Sequence, residues 1–359
     1  MRLGIIGIPN SGKTTIFNAL TGSNYETAAV SSGQFEINTA IVTVPDERLS
    51  KLSAMYSPKK TVFATINYVD IAGLDKGISD GGLKGQFRNE LSQVDGFLHV
   101  IRDFESDAVP HPYIDVDPQR DLDTIDTEFL LEDLVTVERR LERINDDIRV
   151  KGKKVEAGYA EEIELLSRLK TQLEADKPLR ELDFTAEQAK TLRGFGLLSM
   201  KPVLVVVNMG DDAKDVSSII KYDFKKSAVV GIQGALEAEM AQLDAEDAEM
   251  FMEEYGITEL SASRVIRLSY ELMTIQSFFT VGEDECRAWS VPVGATAPEA
   301  AAAIHTDLQR GFIRAEVMDC NDLLEAGSES AVKKVGKMRL EGKEYIVKDG
   351  DIMHIRANT

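Results

Sequence analysis

The sequence predicts an α/β protein whose scaffold is a doubly wound parallel sheet. Three apolar runs have the pattern of buried strands, and they occupy residues 3–8, 65–71 and 201–208. A glycine turn follows each run, and stretches with helical periodicity lie between the runs. Strands that alternate with helices assemble into parallel sheets that carry helices on both faces.

The length of 359 residues predicts two or three domains. The composition is that of a globular protein, since 43% of the residues are hydrophobic and 28% are charged. No apolar run approaches the roughly 20 residues of a membrane helix, so no membrane partner is expected. Only two cysteines, Cys286 and Cys320, and an N-terminus without a signal-like segment indicate the cytoplasm. A net charge of −20 argues against DNA as a partner and restricts any RNA contact to a local basic patch.

A helical insertion is predicted between the second and third strands. Apolar residues alternate there at spacings of three and four, the stripe of a helix that packs on a partner. A basic turn at residues 149–158 separates two such stripes, so an antiparallel helical hairpin is the simplest arrangement. The stripes consist of Leu130, Leu134, Val137, Leu141, Ile144 and Ile148, and then of Tyr159, Ile163, Leu166 and Leu173.

The C-terminal part predicts a small α+β module that begins near residue 278. Short β-like pieces alternate there with glycine turns and one helical stretch, at residues 287–292, 298–309, 311–317, 343–347 and 352–356. The predicted borders are 1–124 and 196–277 for the α/β domain, 125–195 for the insertion and 278–359 for the C-terminal module.

Residues 7–14, Gly-Ile-Pro-Asn-Ser-Gly-Lys-Thr, match the phosphate-binding loop and lie between a predicted strand and a predicted helix. Gly7 and Gly12 let the backbone curl so that consecutive N–H groups point at phosphates. Lys13 is expected to reach the outer phosphates and assist catalysis, and Thr14 to place its hydroxyl on Mg²⁺. The nucleotide contacts predicted in this segment are Asn10, Ser11, Gly12, Lys13, Thr14 and Thr15.

A second phosphate-sensing element follows the strand at 65–71 and reads Asp-Ile-Ala-Gly. Asp70 is expected to hold Mg²⁺ through water, and Gly73 can approach a γ-phosphate. Mg²⁺ is therefore the expected cofactor, with Thr14 and Asp70 at the metal. The glycine-rich stretch 77–85 fits a mobile switch segment and fits an ordinary flexible loop equally well.

The residue that follows this element is unsuited to activating water. Many GTPases carry a glutamine there, whereas this chain has Leu74, which cannot form the hydrogen bond. Hydrolysis is then either slow or assisted by another polar group, and His99 on the apolar segment 96–101 is the candidate. A lone histidine in an apolar run is more often a packed core residue, so both interpretations stay open.

The third predicted strand ends in Asn208-Met209-Gly210-Asp211, the place where GTPases carry N-K-x-D. In that motif the aspartate accepts two hydrogen bonds from guanine and the lysine stem covers the base. Met209 removes the charge and leaves an apolar wall, which weakens the guanine signature, whereas Asp211 preserves it. Without the other motifs, the segment could be a simple strand-ending turn.

Together these segments resemble the YchF family of Obg-related P-loop NTPases, the Obg-like ATPases, over nearly the whole chain. The resemblance includes the phosphate loop, Val-Asp-Ile-Ala-Gly followed by a hydrophobic residue, and C-terminal segments that are similar to the family's TGS domain. It implies a preference for ATP, a role for His99 in hydrolysis and association with ribosomes. Gln233-Gly234-Ala235 matches the last base-contacting loop loosely, which adds Gly234 and Ala235 to the nucleotide contacts.

The chain departs from the family pattern at two positions. Gln34 stands where the family has the threonine of the first switch, and Asp211 stands where the family usually has glutamate. The expected function is a Mg²⁺-dependent switch that binds and slowly hydrolyses ATP in translation or stress regulation. Two alternatives remain: a GTPase, with GTP as ligand, and a nucleotide-dependent binding module with negligible turnover.

Two basic clusters are candidates for a contact with the ribosome or RNA. The first lies at the hairpin turn and the second in the C-terminal module, and either one could equally be an ordinary solvated face. The clusters consist of Arg149, Lys151, Lys153 and Lys154, and of Lys333, Lys334, Lys337, Arg339 and Lys343.

Overall fold

The computed structural model describes residues 1–25, 37–71, 85–212, 214–255 and 259–358, with the backbone alone for 153–156, 245, 254 and 255. The chain forms two compact units. The first contains Met1–Ile41 and Asn67–Val265, and the second contains Val42–Ile66 and Ile266–Thr359. Within the described part of the chain, no helix is both long enough and apolar enough to cross a membrane.

The described residues form twelve strands and thirteen α-helices. The strands are β1 Arg2–Ile6, β2 Ile37–Thr43, β3 Lys60–Val62, β4 Thr65–Ile71, β5 Gly96–Asp103, β6 Val203–Met209, β7 Ser227–Ile232, β8 Ile275–Thr280, β9 Glu285–Pro292, β10 Phe312–Asp319, β11 Arg339–Glu341 and β12 Asp351–Ala357. The helices are α1 Lys13–Thr21, α2 Glu47–Tyr56, α3 Gly85–Gln93, α4 Pro118–Lys151, α5 Lys153–Glu174, α6 Ala186–Leu192, α7 Gly234–Met240, α8 Ala245–Tyr255, α9 Ser261–Leu272, α10 Ala297–Ile304, α11 Thr306–Arg310, α12 Cys320–Ala326 and α13 Glu329–Lys334.

The predicted doubly wound sheet is confirmed in the first unit, where the strand order is β2-β4-β1-β5-β6-β7. The pairs β1–β4, β1–β5, β5–β6 and β6–β7 are all parallel. The carboxyl ends of these strands therefore meet at one edge of the sheet, where α/β proteins bind ligands. The loops that follow β1, β4, β5, β6 and β7 all leave from that edge.

Period-two alternation decides which side chains of this sheet enter the core beneath α3 and α4. In β6 the odd-numbered residues belong to that core, together with Phe97 and Ile101 of β5 and with Leu122, Ile125 and Phe129 of α4. Even-numbered residues of β6 face the opposite side, which carries α1. The alternation continues to the last residues of β6 and so turns the Asn208 and Met209 side chains to opposite faces of the sheet.

The predicted helical hairpin is confirmed, and its helices are longer than expected. Helix α4 begins at Pro118, because the Asp117 side chain caps it by accepting the Arg120 N–H at 3.1 Å. Its first third therefore covers the sheet, and its remainder packs on α5 through the predicted stripes. The predicted turn at 149–158 reduces to Gly152, whose positive φ of 78° ends one helix and starts the next.

The second unit confirms an α+β module built on a sheet of order β11-β10-β12-β8-β9-β3. Strand β3 pairs in parallel with β9, so residues 42–66 join this unit although the sequence-based borders assign them to the α/β domain. The prediction of a β-strand at residues 343–347 was wrong. That segment forms a turn with a single bridge between Thr296 and Ile346, and the ladder strand lies at β11 instead.

Asp133 fixes the point where the insertion returns to the sheet. Its buried carboxylate accepts the backbone N–H groups of Leu198 and Ser199, both at 2.8 Å, and the Ser199 hydroxyl at 2.6 Å. Burial raises the pKa of Asp133 to about 6 despite these donors. The three hydrogen bonds hold α4 against the residues that lead into β6.

We expect Asp133→Asn to lower the free energy of unfolding by about 3 kcal/mol, because the amide has one acceptor oxygen and would oppose a donor with its own NH2 group. Urea titration of both proteins measures this loss. Asp183→Asn is the matched control, since Asp183 is an exposed carboxylate paired with Lys225 at 3.0 Å, and it should change stability little. Equal stability of the two variants would contradict the assigned role.

Candidate nucleotide-binding site

The phosphate loop lies between β1 and α1 and depends on the absence of a side chain at Gly12. This residue has φ +91°, and a Cβ atom built on it would lie 2.1 Å from the Asn208 Nδ2 atom. Both the backbone conformation and the close approach of Asn208 therefore require glycine. Thr14 and Thr15 follow in the first turn of α1, where both are half-buried.

The Lys13 ammonium group lies inside the loop and donates to the carbonyl oxygens of Gly7 at 3.0 Å and Ile8 at 2.8 Å. The Ser11 N–H points at the same Ile8 oxygen, at 3.4 Å. Both donors thus converge on one place and are held by the loop's own carbonyl groups. A phosphate group that entered the loop would compete for these donors at a site that is already assembled.

Asp70 lies near the end of β4 and meets the loop through Thr14. The Thr14 hydroxyl donates to Asp70 Oδ2 at 3.0 Å, and among the described residues the buried Oδ1 atom has no hydrogen-bond partner. Burial raises the pKa of Asp70, although Lys13 and the Thr14 hydroxyl act against this. A buried carboxylate oxygen without a donor, next to a hydroxyl group, suits a hard cation such as Mg²⁺.

Several predicted elements lie outside the described residues. They are Gly73, Leu74, Gln34 and all of the glycine-rich stretch except Gly85, which begins α3. The predicted contacts of Gly73 and the departures at Gln34 and Leu74 therefore stay predictions.

His99 lies in the middle of β5, opposite Ile6 of β1 and Val205 of β6. It is fully buried, and neither ring nitrogen has a hydrogen-bond partner among the residues that the structure describes. Burial, reinforced by Lys13 and Arg180, lowers its pKa to about 3. The imidazole is therefore neutral near pH 7, with one donor and one acceptor to offer.

The Asn208 side chain joins two loops at the edge of the sheet. Its Nδ2 donates to the Ser11 carbonyl at 3.0 Å, and its Oδ1 accepts the Gly234 N–H at 3.2 Å. A Cβ on Gly234 would lie 2.6 Å from Asn208 Oδ1, so this position also needs glycine. Asn208 and Gly234, predicted as nucleotide contacts, are placed here as supports of the phosphate loop, and Ala235 is exposed in the first turn of α7.

Met209 is not placed as a wall for the base. The alternation of β6 turns its side chain into the core, where it is 7% exposed and its sulfur accepts the Lys214 N–H at 3.4 Å. Asp211, by contrast, is exposed. The Gln233 side chain holds this loop by donating to the Asp211 carbonyl at 2.6 Å and the Gly210 carbonyl at 3.3 Å.

Comparison with known proteins places this chain in a family. The model described as "50S ribosome-binding GTPase" matches residues 2–142, and the YchF-GTPase_C model, described as "Protein of unknown function (DUF933)", matches residues 275–358. A protein named ribosome-binding ATPase YchF from Bacillus subtilis is 42% identical over 99% of this chain and 98% of its own length. The chain belongs to the YchF family.

Two further YchF proteins support this placement. The ribosome-binding ATPase YchF of Escherichia coli O157:H7 is 40% identical over 99% of both chains. The solved structure of the Schizosaccharomyces pombe YchF GTPase has a TM-score of 0.83 and 31% identity, and it covers 99% of this chain and 97% of its own.

Sequence reasoning missed Arg102, which contacts the phosphate loop. Arg102 is 1% exposed at the end of β5, and its Nη1 donates to the Asn10 carbonyl at 3.3 Å. A charged residue inside an apolar strand was the available signal, because a buried arginine must satisfy its donors. Its partners could not be read from the sequence.

We expect Lys13→Ala to weaken Mg²⁺-ATP binding by about 10²-fold, since the ammonium group is the cation that the loop turns inward. Calorimetric titration measures the affinity, and circular dichroism should show an unchanged fold. Lys225→Ala, which removes a half-exposed lysine paired with Asp183, is the control and should bind as the wild type does. Unchanged affinity in the folded Lys13 variant would argue against the phosphate-loop assignment.

Proposed function

We propose that this chain is a Mg²⁺-dependent nucleoside triphosphatase that binds ATP and hydrolyses it slowly. The main support is that three groups lie together at the edge formed by the carboxyl ends of the strands. They are the Lys13 ammonium group, the Ser11 N–H and the Asp70–Thr14 pair. These groups would neutralise a triphosphate and hold its metal. The bacterial relatives are named ATPases, which supports the same assignment.

The metal would be held by the Thr14 hydroxyl directly and by Asp70 through water. The unpartnered Oδ1 atom of Asp70 supports this assignment, because a bound metal and its water ligands would give that oxygen a partner. Bound Mg²⁺ would neutralise charge on the phosphate oxygens during transfer. Within the described residues no cluster of three or more His, Cys, Asp or Glu side chains could hold another metal ion.

His99 is proposed to orient the attacking water rather than to remove its proton. A pKa of about 3 makes the buried imidazole a weak base, but as a neutral ring it can donate and accept one hydrogen bond each. His99 could reach the γ-phosphate only after a rearrangement, because it lies buried in the middle of β5. Slow intrinsic turnover follows from that requirement.

ATP is proposed over GTP because Met209 stands where GTPases carry the lysine of N-K-x-D, and its side chain is turned into the core. GTP remains the second candidate because the exposed Asp211 carboxylate could accept from guanine. The fission yeast relative, which is named a YchF GTPase, supports this alternative. Both nucleotides would use the same phosphate loop, so the choice depends on the base side alone.

The wild type should bind ATP about tenfold more tightly than GTP, equivalent to about 1.4 kcal/mol. Asp211→Ala should weaken GTP binding more than ATP binding and so widen the gap. Calorimetric titration with both nucleotides measures the difference between the two affinities. Asp212→Ala changes the exposed neighbouring residue and is the control. Tighter binding of GTP would favour the alternative.

His99→Ala should lower single-turnover kcat by about 10²-fold or less, with little change in ATP affinity. Because the pKa of His99 lies near 3, the ratio of wild-type to variant rates should stay constant between pH 5 and pH 8. A ratio that falls with acidification through pH 6.5 would indicate a solvent-accessible histidine that transfers protons. Equal rates in both proteins would leave His99 a packing residue.

Association with the ribosome or RNA is proposed through Lys333, Lys334 and Lys343 of the C-terminal cluster. These lysines are exposed, and no carboxylate lies within ion-pair distance of them in the described chain.

The other cations of the two basic clusters for which side chains are described are paired with carboxylates. In the C-terminal cluster, Lys337 is paired with Asp322, and Arg339 is paired with Asp351. At the hairpin turn, Arg149 and Lys151 are likewise paired with carboxylates, which favours the C-terminal group.

The double substitution Lys333→Glu and Lys334→Glu should reduce co-sedimentation with ribosomes at low salt, because it reverses the charge of two unpaired lysines. Arg149→Glu is the control at the hairpin turn and should have the smaller effect, since Asp146 already neutralises that arginine at 3.1 Å. Point variants are preferable to deletion of residues 278–359, which would leave β3 without β9. Unchanged sedimentation of the double variant would exclude this surface.

A further inference from the structure

Arg102 is a buried cation without an ion-pair partner. Among the described residues no carboxylate forms an ion pair with its guanidinium group, and burial lowers its pKa, although the Glu105 and Asp121 carboxylates act against this. Burial of a charge is costly unless hydrogen bonds satisfy the group. Arg102 achieves this with three backbone carbonyl groups, those of Phe104 at 2.9 Å, Val109 at 2.8 Å and Asn10 at 3.3 Å.

The bond to Asn10 fixes the orientation of one peptide group in the phosphate loop. In a planar trans peptide the C=O and N–H bonds point in opposite directions. Because Arg102 holds the Asn10 carbonyl, the Ser11 N–H points away from Arg102, toward the inside of the loop. Asn208 orients the next peptide group in the same way. It holds the Ser11 carbonyl at 3.0 Å, so the Gly12 N–H points away from Asn208.

The other two bonds of Arg102 join the loop to the segment 104–110. Asn10 adds a second link, because its Nδ2 donates to the Pro110 carbonyl at 2.9 Å. The Phe104 ring stacks under the guanidinium group at 4.3 Å, and its Cβ lies 3.5 Å from a Cβ built on Gly210. The segment thus extends from the phosphate loop to the loop after β6.

We propose that Arg102 is a positioning residue for nucleotide binding, which holds consecutive phosphate-loop N–H groups inward together with Asn208 and fixes segment 104–110 beside them. This inference rests on the proposed nucleotide site. Only an arginine can fill the position, since its planar fork sends N–H groups toward three carbonyls at once. A lysine would keep the charge but would lose the fork.

The test compares Arg102→Gln and Arg102→Lys with Arg180→Gln. Arg180 is a matched control, because it is 2% exposed, donates to the Ser199 carbonyl at 3.2 Å and packs on the Tyr222 and Phe224 rings in the same unit. Its loss should lower Tm without reaching the phosphate loop. Calorimetry with Mg²⁺-ATP and with inorganic tripolyphosphate, which lacks base and ribose, separates the phosphate loop from the base side.

Both Arg102 variants should bind Mg²⁺-ATP and tripolyphosphate about tenfold more weakly than the wild type, whereas Arg180→Gln should keep both affinities within about twofold at a similar loss of Tm. Unchanged tripolyphosphate affinity in either folded Arg102 variant overturns the inference, and so does an equal loss of affinity in Arg180→Gln. If Arg102→Gln does not fold, Arg102→Lys carries the comparison. Failure of the wild type to bind Mg²⁺-ATP would instead refute the proposed function.

Discussion

The side-chain amide of Asn208 is the interaction on which the nucleotide site depends. It holds the Ser11 carbonyl and the Gly234 N–H and so joins the loops after β1 and β7 through the end of β6. The amide fits only because Gly12 and Gly234 have no side chain at these contacts. The two loops, which follow β1 and β7, are thereby fixed to the end of β6 at one edge of the sheet.

This arrangement makes the phosphate loop a preassembled site. The Lys13 ammonium group and the Ser11 N–H both point at the Ile8 oxygen, and the Arg102 and Asn208 side chains hold the carbonyl groups on the outside. Preorganised donors need little rearrangement when a phosphate binds. Hydrolysis that uses His99 would need a rearrangement, because this histidine is buried in the middle of β5. The proposed function therefore combines a preorganised phosphate loop with slow turnover.

The sequence predicts the parts of the site that depend on local patterns. The phosphate loop follows from a strand-loop-helix motif, Asp70 follows from the Asp-x-x-Gly pattern at the end of a strand, and the hairpin follows from its apolar stripes. The direction of the Met209 side chain could also have been predicted from the sequence. Period-two alternation along β6 places it on the core face with Val207 and Val205. The comparison with N-K-x-D instead led to the prediction that Met209 forms an apolar wall beside the base. Arg102 was missed because its carbonyl partners lie in loops that only the fold brings together. Residues 42–66 joined the second unit through the β3–β9 pairing, a contact between segments far apart in sequence.

A crystal structure with Mg²⁺ and a non-hydrolysable ATP analogue tests the central claim most directly. We expect Arg102 and Asn208 to keep their bonds to the Asn10 and Ser11 carbonyls, while Lys13 leaves the Gly7 and Ile8 oxygens for the phosphates. We also expect Mg²⁺ at the Thr14 hydroxyl, with Asp70 Oδ1 bonded to a metal-bound water. A phosphate loop whose Asn10 or Ser11 carbonyl had turned inward, away from these side chains, would contradict the claim that the site is assembled before the nucleotide arrives.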